Sequence, residues 1–227
     1  MRKLNIKELV KFKRSTDRVK QNFALNLKLN KAKVETDSDS RGDYWVTSTS
    51  AIINSFKAKD LQFIRDKKSE LEAKYEAVTV KKSKDMYERN IKILYGFEDI
   101  DSNGWRPDSK IKFLPQPRRN QVVTIDGLQL QLIPSCVFEF DKDGQKEIGA
   151  VWFIAQKDGF SKVELGMFVD MLWRYLNTYF AKDHLINLQY CIAVDTCKGQ
   201  SINYLQLTEN GVPMILDSTI QEIKKLM

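Results

Sequence analysis

Four consecutive pieces of residues 128–180 decide the fold: LQLQLIPSCVFEF (128–140), DKDG (141–144), QKEIGAVWFIA (145–155) and, after a short loop, SKVELGMFVDMLWRYLNTYF (161–180). The first alternates apolar and polar residues as a half-buried strand does, and the acidic-Gly pair then turns the chain back. The third is a continuous apolar run, which suits a strand covered on both faces. Ser161 and Glu164 have the spacing of a capping box, in which each side chain satisfies a backbone N–H of the other's end of the first turn. Behind them Val163, Met167, Phe168, Met171, Leu172, Tyr175, Leu176 and Tyr179 recur at helical spacing. This order predicts strand, hairpin, buried strand and core helix. The Met and aromatic stripe fills that core and requires no cofactor. A turn through Asp141 to Gly144 that pairs Phe140 with Gln145 sets Ser135 opposite Ala150, with Trp152 two residues along on the same face.

Further elements extend outward from this block. Residues 121–125 and 128–133 face each other across Asp126-Gly127, a strong two-residue hairpin signal because both turn positions need positive φ. Residues 188–195 read as another buried strand, Cys197 to Gln200 as a turn, and 202–207 as its antiparallel neighbour. Asp217 or Ser218 can cap a last helix carrying Ile220, Ile223 and Leu226. The predicted class is therefore α/β (α+β), a mixed sheet flanked by helices and preceded by a helical region.

Three segments follow from composition: a basic arm and loop at 1–43, a helical region at 44–107 and a mixed α/β domain at 108–227. Residues 1–34 hold eleven Lys or Arg against Glu8 and Asp17 only. Leu25, Leu27 and Leu29 alternate like a half-buried strand, and Ile6 to Phe12 suit a short helix. Such an arm can lie along phosphates or pack on the domain with its lysines in water. The polar run 35–43, which ends in Arg41-Gly42-Asp43, is a loop by composition. Three helices come next. One starts near Ala51 behind Ser48 or Ser50, one is capped by Asp60, and one runs from Ser83 to a stop at Gly96. Residues 97–110 read as a linker. Its Asp99, Asp101 and Asn103 have the alternate spacing of a calcium loop but lack the later bidentate Glu.

The bulk properties restrict the function classes. A chain of 227 residues with 42% hydrophobic content can build a core without disulfides or metals. A net charge of +7, from 37 basic and 30 acidic side chains, suits a polyanionic partner. Cys136, Cys191 and Cys197 lack metal-type spacing and fit free thiols in a reducing cytoplasm. The N-terminus has no uninterrupted apolar core of a signal peptide, and no run approaches the ~20 apolar residues that span a bilayer. A membrane partner is not expected. His184 is the only histidine and reads as a surface residue, so a His-based metal site or triad has a single possible donor.

Strand, hairpin, strand and helix over roughly residues 121–207 resemble the core of the PD-(D/E)XK, or restriction-endonuclease-like, nuclease superfamily. The resemblance implies that an Asp opens the second core strand and that an acidic residue, any residue and a Lys lie on the third. Two carboxylates then hold Mg²⁺ against the scissile phosphate while the lysine aids the attacking water. On this sequence the Pro falls on Pro134, the Asp on Ser135, and the acidic-x-Lys triplet on Ala150-Val151-Trp152. Every charged group of the motif is neutral here. Relocated groups could be Glu139 and Glu147 as metal ligands with Lys157 as the lysine substitute, and Glu164 nearby. These residues also read simply as the flanks of a turn, the end of a strand and a helix cap.

Three functions are compatible with this reading. The first is a catalytically degenerate nuclease-like protein that contacts nucleic acid through Lys11, Lys13, Arg14, Arg18, Arg118 and Arg119, with no metal or cofactor. The second is an active Mg²⁺-dependent nuclease with relocated carboxylates. The third is an interaction subunit that docks a partner protein.

Overall fold

The computed structural model describes residues 2–29, 44–115, 122–209 and 211–227. Its helices are α1 (Ile6–Arg14), α2 (Asp17–Lys28), α3 (Val46–Ala58), α4 (Gln62–Ala77), α5 (Lys81–Glu98), α6 (Lys162–Phe180), α7 (Tyr204–Glu209) and α8 (Leu216–Leu226). The strands are β1 (Ile111–Phe113), β2 (Val122–Ile125), β3 (Leu128–Gln131), β4 (Cys136–Lys142), β5 (Gln145–Ile154), β6 (Leu185–Asp195) and β7 (Gln200–Asn203). Five of them form one mixed sheet in the order β1-β4-β5-β6-β7, and β2 and β3 form a separate two-stranded ribbon. Only β5 and β6 run parallel, because α6 carries the chain back between them; the other neighbours in the sheet are antiparallel. The α/β class expected from the sequence is the class observed. Among the described residues no helix is long and apolar enough to cross a membrane.

Helices cover both faces of the sheet, which is why β5 is apolar along most of its length. On one face Val137, Ile148, Ala150, Ile154, Cys191 and Ala193 pack with α6, α8, α1 and the β2–β3 ribbon. On the other, Phe138, Phe140, Val151, Phe153, Ile192 and Val194 pack against Ile52, Phe56, Leu94, Phe97 and Trp105 from the α3–α5 layer. The N-terminal and helical segments thus share their cores with the sheet. The N-terminus is no free arm: Leu4 donates its N–H to Gln129 O and accepts from the N–H of Gln131. Behind it Ile6, Leu9, Val10 and Phe12 are buried.

Several local expectations are corrected. Leu25, Leu27 and Leu29 lie in or at the end of helix α2, with Leu27 buried and the other two exposed, so the alternation marks a helix with one inward leucine. Helix α3 begins five residues before Ala51; Ser48 is inside it and fully buried, its N–H donated to Asn90 Oδ1. The Asn90 amide in turn donates to the carbonyls of Tyr44 and Met86, fixing the start of α3 to α5. Helix α5 begins at Lys81 and runs through Gly96 to Glu98. The supposed linker carries Trp105, which is buried beside Phe97 and Phe153. Strand β7 stops at Asn203, where Asn203 and Gln206 exchange side-chain bonds to each other's N–H groups and start α7 instead of continuing the strand. The loop at 35–43 and the corner bearing Arg118 and Arg119 lie outside the described residues.

The central hairpin differs by two residues from the expected pairing. Its turn is Asp143-Gly144, with φ of 51° and 80°, the left-handed pair a tight hairpin demands. Phe140 therefore pairs with Glu147, and Val137 with Ala150. A shift of two keeps every side chain on its face, whereas a shift of one would have inverted them. Beyond it, β5 and β6 pair at Ile148 and Ile186 and next at Ala150 and Cys191, so residues 187–190 lie opposite Gly149 alone. Asn187 Oδ1 holds this bulge by accepting the N–H groups of Gln189 and Tyr190. A Cβ at Gly149 would lie 2.7 Å from Tyr190 Cβ and 2.9 Å from its carbonyl oxygen, which is why the strand carries glycine there.

Candidate functional site

Ser135, Ala150 and Trp152, the positions on which the resemblance lays the nuclease motif, meet where β4 begins and β5 ends. Ser135 precedes the first ladder pair, Cys136 with Val151, so the register puts it opposite Trp152 and not Ala150. Its hydroxyl accepts the N–H of Phe153 at 3.0 Å, which satisfies a buried backbone donor just beyond the first ladder pair. Ala150 has no solvent exposure and lies between Val137 and Cys191. Trp152 packs edge-on to Phe168 of α6, with centroids 5.1 Å apart, and Phe168 in turn meets Phe160 at 5.0 Å. The three positions thus hold a ladder hydroxyl, a core methyl and an indole in an aromatic cluster. None can bind a cation by charge.

The relocated set does not converge. Glu139 pairs opposite Ile148 and Glu147 opposite Phe140, so the two carboxylates emerge from opposite faces of the sheet. Lys157 and Glu164 follow the far end of β5, about 20 Å along the strand direction from Glu147 at the strand rise. Glu139 accepts from Lys112 Nζ at 2.7 Å and faces His184 Nε2 at 3.0 Å. Lys112 first, and His184 second, hold its carboxyl below the usual range. Glu147 is nearly buried and accepts from the Asn187 amide, buttressing the bulge. Lys157 is exposed in a turn.

Glu164 binds Arg14 through both oxygens, at 2.6 and 2.7 Å, while closing the capping box with Ser161. Burial alone would raise its pKa, but Arg14 and the Ser161 N–H outweigh that and keep it low. Among the described residues no group of His, Cys, Asp and Glu is arranged to hold a metal ion. The side chains at the motif and at the relocated positions therefore do not fit the Mg²⁺ that the family resemblance implies.

His184 is more enclosed than its polar loop suggested. Its side chain is 12% exposed. With Nε2 engaged by Glu139, Nδ1 is sealed from solvent and has no partner. A buried bare nitrogen of this kind costs free energy and is out of a substrate's reach. Cys136 and Cys191 are also poor nucleophiles: both are buried, and burial pushes the Cys136 thiol up to about 11.

The expected nucleic-acid contacts divide in two. Arg14 is committed to Glu164 and to the Gly159 carbonyl at 2.9 Å, with its guanidinium over the Phe160 ring. Lys13 and Lys20 share Glu222 of α8, at 3.0 and 2.7 Å. These cations tie α1 and α2 to α6 and α8. Lys11 and Arg18 are exposed, and neither has an ion-pair partner among the described residues. Arg118 and Arg119 fall outside those residues.

Two charged groups that matter to the fold were not singled out from the sequence. Asp195 ends β6 with no exposure, and its carboxylate accepts the N–H groups of Phe160, Cys197 and Lys198 at 2.7, 2.9 and 3.2 Å. It knots the loop after β5 to the turn after β6. An aspartate closing an apolar strand before Thr-Cys-Lys-Gly is the available signal, since such a side chain satisfies the N–H groups just beyond it. Asp170 is buried inside α6; burial raises its pKa, partly offset by Arg174, whose guanidinium bridges it to Asp217 of α8. Its spacing of four from Arg174 is the corresponding signal.

No protein-family model matches this chain, and no curated protein matches its sequence.

Proposed function

We propose that this chain is a nuclease-like scaffold of the PD-(D/E)XK type that does not cut phosphodiesters and instead binds nucleic acid. The arrangement β1-β4-β5-β6, with two antiparallel pairings followed by a helix and a parallel return, supports the scaffold reading. One observation carries the loss of chemistry: Ala150 and Trp152 are built into the packing against α6, where the family chemistry needs a carboxylate and an ammonium. The opposed faces of Glu139 and Glu147 argue against a relocated two-carboxylate site. The net charge of +7 and the exposed cations at Lys11 and Arg18 support contact with a polyanion.

Titration of mixed single- and double-stranded DNA and RNA oligonucleotides at rising salt tests the binding. Affinity should fall linearly with the logarithm of salt concentration, as released counterions require. Lys11→Glu with Arg18→Glu should weaken binding while leaving the melting temperature unchanged. Absence of binding at low salt removes the nucleic-acid partner, and retention of one protein from a pull-down under those conditions would favour a protein-docking role. Cleavage stimulated by Mg²⁺ or Mn²⁺ and abolished by Glu139→Ala or Glu147→Ala would overturn the loss of chemistry.

A further inference from the structure

We draw no further inference here: the strongest candidate, the open cleft of about 490 Å³ between the end of α5 (Gly96, Asp99, Asp101) and the β6–β7 turn (Cys197, Lys198, Ser201), rests on an acidic pair and a lone cysteine, with no buried unpaired group among the described residues pointing into it.

Discussion

Placing a carboxylate at position 150 tests whether that position is core or cleft. Ala150 has no exposure, sits between Val137 and Cys191, and is covered by α6. Ala150→Glu should cost about 1–3 kcal/mol through crowding alone. The charge adds a second cost. A carboxyl buried without a cation has a folded pKa that can reach about 8–9, against about 4.3 in the unfolded chain. Between those values the folded state binds more protons than the unfolded one, so stability falls as pH rises, by up to about 1.4 kcal/mol per pH unit.

Ala150→Gln has a similar volume and no titration, so the difference between the two variants isolates the charge. From about pH 5 to about pH 7 that difference should grow by about 2–3 kcal/mol, a widening of the melting-temperature gap of roughly 4–12 °C at this chain length. Circular-dichroism melts of both variants at several pH values measure it. A constant gap, with Ala150→Glu as stable as Ala150→Gln near neutrality, would mean that position 150 meets water or a cation. Position 150 would then be open to a metal ligand, and the proposed absence of cleavage would lose its support.

Other substitutions probe the supports of the sheet. Gly149→Ala should destabilise by about 1–3 kcal/mol in urea unfolding, because the obstacles are backbone and Cβ atoms of the bulge. Gly96→Ala, inside α5 with open space around the new methyl, should stabilise by up to about 1 kcal/mol, and a loss there would contradict the helical assignment. Asp195→Asn leaves one acceptor oxygen for three N–H groups, of which that of Phe160 is buried, and should cost about 1–3 kcal/mol if the buried one is left unpaired; a wild-type denaturation midpoint would refute the knot.

A double-mutant cycle on Arg14→Ala and Glu164→Ala should give a coupling of about 1 kcal/mol, discounted for partial exposure. Because the folded pKa of Glu164 is lowered, its contribution is full above the ordinary carboxylate pKa and is lost as pH falls through the folded value. A coupling that survived below that range would contradict the ion-pair assignment.

Local chemistry explains what could be placed without coordinates. Asp126-Gly127 and Asp143-Gly144 fix both hairpins because few other residue pairs accept their dihedrals. The Ser161 and Glu164 box fixes the first turn of α6 for a similarly short-range reason. The hairpin register differs by two from the sequence pattern because Asp141 and Lys142 continue the ladder, which their polarity alone does not reveal. Leu25, Leu27 and Leu29 misled because a spacing of two is also met on a helix when only one residue faces inward. At the candidate site, neutrality at Ser135, Ala150 and Trp152 could be read directly from residue type. That Glu139 and Glu147 diverge required the pairing, and that Arg14 and Lys13 are occupied required contacts spanning most of the chain.

Those long contacts shape how the protein is made. Lys13 reaches Glu222 across 209 residues and Leu4 pairs beside Leu130, so α1 and α2 emerge from the ribosome long before their partners exist. At about 5–20 residues per second, the apolar face of α2 carrying Ala24 and Leu27 waits on the order of 10–40 seconds for α8. These helices, made before their partners, are thus among the last to dock. Depleting chaperones from the expression host should therefore lower soluble yield more than it alters the stability of the finished protein.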